Sequence, residues 1–144
     1  MQMKLAAVVV SLGLITAGAA VKLSAHHSFA AEFDATKPLT MTGTVTKMEW
    51  VNPHVWIHIE TKMPNGNMER WAFEAGTPNV LFRRGFTRQD LLPGIIVKID
   101  GYQAKDGSNR GNGRDVTFED GRTLFLGSRG TGAPYELRPT EIER

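Results

Sequence analysis

Four histidines carry most of the metal-binding chemistry available to this 144-residue chain, and they fall into two pairs. His26 and His27 are adjacent, and His54 and His58 lie close together further along. Imidazole is the commonest protein ligand for transition metals. If a proteolytic cut leaves His26 as the first residue, its free α-amine and its imidazole chelate one ion, and a further imidazole completes a planar nitrogen set. Such a brace suits Cu(II), which prefers tetragonal nitrogen ligation and binds most strongly in the divalent series. Zinc is less expected, because no carboxylate stands at a recognisable ligand spacing from these histidines. The chain has no cysteine, which excludes thiolate metal sites, disulfides and cysteine nucleophiles.

Strand geometry limits the ligand set. Four residues along a strand span about 13 Å, so His54 and His58 cannot readily grip one ion. His54 is the better candidate because Asn52-Pro53 precedes it: proline fixes its own φ and pushes the residue before it toward extended geometry. The expected metal ligands are therefore His26, His27 and His54. The bland readings are frayed residues after a cut for the first two and an ordinary strand bulge at Asn52-Pro53-His54.

A side-chain period of two places His54, Trp56, His58 and Glu60 on one face and Val55, Ile57 and Ile59 on the other. The aliphatic set should line an interior, which leaves Trp56 and His58 as an outer ligand surface needing a cover or a partner. The segment His26–Lys37, with Phe29 and Phe33, is the expected cover for Trp56.

The elements that must position these residues are mostly strands. Thr40–Trp50 is rich in Thr, and Met63-Pro64-Asn65-Gly66-Asn67 carries a hairpin turn signature. Trp71 and Phe73 share one face of the segment Met68–Glu74. Thr77 as cap, Pro78 at the first helical position and Gly85 as terminator mark a short helix. Ile95, Val97 and Ile99 alternate, and a hairpin turns through Glu119-Asp120-Gly121. This order predicts a mainly β fold, a small OB-like β-barrel with one short helix, with an open two-sheet sandwich as the alternative. Residues 101–114, with four glycines, read as a mobile loop, and 128–144 as a flexible C-terminal tail.

The first 25 residues read as a signal peptide: Lys4, an uncharged run from Leu5 to Val21, then small residues. An uncleaved anchor is disfavoured because Ser11, Gly13, Thr16 and Gly18 dilute a run of minimal length. Cleavage after Ala19 or after Ala25 both fit, and only the second exposes His26. The expected organisation is thus 1–25 signal peptide, 26–127 one β domain with an N-terminal arm, and 128–144 tail, the product being periplasmic or secreted. The full chain carries 17 Lys and Arg against 15 Asp and Glu. Lys4 and Lys22 leave with the leader, so the mature net charge is zero. That excludes the basic funnel a nucleic-acid binder needs, and no stable membrane insertion is expected after cleavage.

His26-His27-Ser28-Phe29 after a leader, Gly43-Thr44-Val45, and Trp50-Val51-Asn52-Pro53-His54 together resemble a family of small exported bacterial proteins of unknown function. The resemblance implies export and one β-rich domain, and no activity. The expected function is binding of a metal ion, with copper favoured. The alternative is a binding module for a small ligand or protein partner that uses the Trp56 surface without metal. An enzyme is not expected, since there is no Ser-His-Asp order, no His-Glu-x-x-His and no acid–base carboxylate pair.

Overall fold

A computed structural model describes residues 28–137. Within them the chain is mainly β. A short helix α1 (Phe29–Glu32) leads into a long strand β1 (Phe33–Glu49), followed by β2 (Trp56–Lys62) and β3 (Met68–Glu74). Helix α2 (Pro78–Arg83) then precedes β4 (Ile96–Ala104), β5 (Arg110–Phe118) and the short β6 (Thr123–Phe125), and a 3-10 turn spans Pro134–Leu137.

The hydrogen bonds between strands run in a circuit. β1 pairs with β2 on one side and β4 on the other, β2 with β3, and β4 with β5, all antiparallel. A short parallel pairing of Ala72–Glu74 with Arg110–Asn112 joins β3 to β5 and closes the ring, while β6 lies against the far end of β5. The expected β class, and the helix between the third and fourth strands, are both present.

Alternation decides what faces inward. Val55, Ile57 and Ile59 are fully buried, as are Val97, Ile99 and Val116, and they share one core with Trp71 and Phe73. Trp71 keeps its indole N–H satisfied by donating to Glu69 Oε2 at 3.0 Å. Helix α2 begins as its residues dictate: Thr77 Oγ1 accepts from the Val80 N–H at 3.3 Å, Pro78 opens the first turn, and Gly85 beyond its end has φ +80°. The helix contributes Leu81 to the core.

Two expectations about irregular segments fail, the first through glycine. Residues 101–114 are not a loop; most of them belong to β4 and β5, joined by a tight turn with Gly107 at φ +75°. Their other glycines serve close approach. A Cβ on Gly101 would stand 2.2 Å from the Asn112 carbonyl oxygen, and one on Gly111 would stand 2.9 Å from the Phe73 ring. The segment expected as a flexible tail is also packed over its described part, with Ala133 and Tyr135 buried. Tyr135 Oη donates to Asn112 Oδ1 at 3.2 Å, which gives this stretch a specific seat on β5. Residues 138–144 of that tail, and residues 1–25, where a signal peptide is expected, lie outside the described residues.

Candidate functional site

On the outer side of the ring a second apolar cluster gathers Phe29, Phe33, Tyr102, Ala104, Ala133 and Tyr135. Tyr102 and Ala104 lie on the opposite face of β4 from Val97 and Ile99, so without a cover they would meet water. The N-terminal arm supplies it. Phe29 meets Tyr102 edge-on with centroids 5.4 Å apart, and its backbone N–H donates to the Thr131 carbonyl at 2.8 Å. The arm was expected across Trp56; its phenylalanines instead pack on β4 and the C-terminal turn, where Tyr102, Phe125 and Tyr135 offer more aromatic surface. Trp56 itself is half-buried, not fully exposed.

The seat of the arm brings its first described residue toward Glu74, the acid beside His54. Ser28 lines a small recess together with Glu32, Glu74, Asn112 and Thr131. Glu74 Oε1 in turn stands 3.7 Å from His54 Nδ1, and both side chains are largely buried, at 15% and 16% exposed. β-Register creates this adjacency: Glu74 pairs with Trp56 across β2 and β3 and with Asn112 across β3 and β5.

His54 does not lie on the strand. β2 starts at Trp56, and His54 follows a bend at Asn52-Pro53, whose peptide bond is cis. Its Nδ1 is 3.1 Å from the Ala75 carbonyl oxygen. A carbonyl only accepts, so Nδ1 carries the proton and the lone pair of the neutral ring sits on Nε2. A backbone carbonyl holding one nitrogen is the usual outer support of a metal-binding histidine.

His58 has its acidic neighbour on the other adjoining strand. It lies within β2, paired with Lys47 and Ala72, and its Nε2 is 3.5 Å from Glu49 Oε2, with Lys47 Nζ on the other oxygen of the same carboxylate. The hydrogen bond from Lys47, then its charge and that of His58, hold the Glu49 carboxyl below its ordinary value. His54 and His58 thus lie near acids on opposite neighbours of β2, Glu74 on β3 and Glu49 on β1.

His26 and His27 lie outside the described residues. Among the described residues no three His, Asp or Glu side chains converge tightly enough to hold an ion by themselves. Glu74 and Glu32 escaped sequence reasoning, because their nearness to His54 and Ser28 depends on pairing between distant strands and on where the arm seats. No helix among the described residues is long and apolar enough to cross a membrane.

A mainly β ring with an arm-covered outer recess is the class this geometry defines. Residues 14–114 match the model of a family of unknown function, DUF6152, and the chain belongs to that family. The matched span takes in Ser28, His54, Glu74 and Asn112, and stops before Thr131 and Tyr135. No curated protein and no solved structure matches the chain.

Proposed function

We propose that the protein is exported and binds a metal ion, copper by preference, through the amine and imidazoles of a processed N-terminus and the imidazole of His54. The observation that carries this reading is the path from Ser28 through the shared recess to Glu74, and from Glu74 across 3.7 Å to His54. His27 is bonded directly to Ser28 and His26 comes next, and two residues of chain reach at most about 7 Å. Histidines on that tether are therefore within range of the recess.

The tautomer of His54 supports the same reading, since Nδ1–H is committed to the Ala75 carbonyl and Nε2 keeps the lone pair a metal requires. His58 is left out of the ligand set because its Nε2 is directed to Glu49 on β1. Periplasmic or secreted location rests on the leader-like pattern of residues 1–25.

The test has two stages. Intact mass of the protein exported by a native host should show a chain beginning at His26. Equilibrium dialysis of that material against Cu(II) should then give one ion per chain. A start at Ala20, or substoichiometric copper on the His26 form, would count against the proposal.

A second reading uses the other observation on this face. Trp56 stands outward between Glu49 and Glu74 in one cross-strand row and is half-buried. It supports a metal-free module in which Trp56, with His58 beside it, stacks a small ligand or a partner's side chain. In that case Trp56→Ala abolishes ligand binding and His54→Ala leaves it intact, the reverse of the pattern for copper.

A further inference from the structure

Two connections between strands meet at one junction. The turn from β1 to β2 touches the connection from β3 to β4 where the Trp50 ring stacks on Phe86 at 6.1 Å and Arg88 Nη2 donates to the Trp50 carbonyl at 3.4 Å. Three apolar side chains on these two segments stay in water: Phe82 is 68% exposed, Val51 51% and Leu92 48%. Helix geometry accounts for Phe82. Leu81 fills the core from α2, and the next residue is turned about 100° away from it.

The same connection carries positive charge that no carboxylate offsets. Residues 75–95 hold Arg83, Arg84 and Arg88 against one acid, Asp90. Asp90 is already occupied, by Arg122 Nη1 at 2.9 Å and by Thr87. Arg84 turns inward to the Phe125 and Gly127 carbonyls. Arg83 and Arg88 are exposed, and among the described residues they donate only to the carbonyls of Asn79 and Trp50.

We propose that this junction docks on an anionic phospholipid bilayer, with Phe82, Val51 and Leu92 entering the boundary between headgroups and acyl chains and Arg83 and Arg88 staying at the phosphates. Aromatic and aliphatic tips beside basic residues are the composition of an interfacial anchor. Each arginine stem lies along apolar surface and keeps its charge in the polar layer. A protein partner would call for a continuous apolar centre. Here the apolar residues come from three places, Val51 on a turn, Phe82 on α2 and Leu92 beyond Arg88, with charge between them. The mature chain has no net charge, so attraction to anionic lipid comes from this local pair. The contact is shallow and reversible, and it needs no metal.

The experiment sediments the folded, processed chain with vesicles of phosphatidylcholine and phosphatidylglycerol in equal parts, and with vesicles of phosphatidylcholine alone. Wild-type protein should partition onto the mixed vesicles and be released by salt. Arg83→Gln and Arg88→Gln should each weaken that partitioning about fivefold, and leave the weaker binding to phosphatidylcholine unchanged. Phe82→Ala removes a side chain that the core does not use and should cost about tenfold. Arg70→Gln deletes the same charge from β3, where it stands 3.5 Å from Glu60, and should change partitioning by less than about twofold.

Wild-type protein that stays in solution with the mixed vesicles, or binds both kinds equally, overturns the proposal. Losses in Arg83→Gln and Arg88→Gln no larger than in Arg70→Gln overturn it as well. So does self-association without lipid that Phe82→Ala abolishes, which assigns the junction to a second copy of the chain.

Discussion

The rings of Phe29 and Tyr102 meet at 89° with centroids 5.4 Å apart, and this contact ties the N-terminal arm to the outer face of β4. Phe29 is 4% exposed although it lies one residue into the described chain, and Phe33 packs beside it at 5.8 Å. Phe29→Ala should therefore cost about 3 kcal/mol, the lower range for a buried phenylalanine, since the arm can partly collapse onto the gap. Urea denaturation followed by fluorescence checks the value. A loss below about 1 kcal/mol would show that the arm is not an integral part of the folded unit.

His54→Ala and His58→Ala should separate cleanly in copper titrations. The first removes an imidazole whose tautomer is set by the Ala75 carbonyl, and should lower Cu(II) affinity at least tenfold. The second removes a partner of Glu49 on the other side of β2 and should leave affinity within about threefold. Equal losses in the two variants would place the ion elsewhere on this face.

Alkaline pH should loosen the C-terminal turn through Tyr135. Burial pushes its phenol up to about 12 from an ordinary value of 10. The folded form therefore keeps its proton where the unfolded chain has lost it. The associated stability is complete below pH 10 and falls as pH rises from 10 toward 12, by about 2 to 3 kcal/mol over that window. Tyr135→Phe should flatten this part of the stability–pH curve, while losing at all pH values the hydrogen bond to Asn112. Chemical denaturation at half-unit pH steps measures both effects.

Gly101→Ala should be among the most damaging single changes. A methyl group there would stand 2.2 Å from the Asn112 carbonyl oxygen, which belongs to the paired strand and cannot rotate aside. Relief requires β4 and β5 to separate where Asn112 also accepts from Tyr135. A destabilisation above about 3 kcal/mol is expected, whereas Gly66→Ala, in a turn where nothing lies within 4 Å, should cost about 1 kcal/mol through its φ of +87° alone. Thermal melts of the two variants side by side make the comparison.

Periodic and capping signals proved the most readable from residues alone. Val55, Ile57 and Ile59 alternate in the chain and are buried in the core, and the Thr77-Pro78 start of α2 is where cap chemistry requires it. Residues 101–114 misled because glycine marks both turns and places where two backbones nearly touch. Only the partner strand distinguishes these, as it does at Gly101 and Gly111. Tyr135, an isolated aromatic among glycine and proline, gave no hint of its seat on Asn112. In the candidate site, His54 could be singled out by its Asn-Pro prefix. Glu74 could not, because its nearness to His54 arises from register between β2 and β3 and leaves no mark in local spacing.

Closure of the ring by Ala72–Glu74 against Arg110–Asn112, together with the pairing of β1 to β4, has a temporal meaning. In a chain that emerges N-terminus first, the Phe33–Thr44 stretch of β1 waits for β4 until residue 104 has appeared, and the parallel seam waits until 112. Contacts this distant form slowly. The polypeptide thus stays unlocked for most of its synthesis, and snaps shut only near the end.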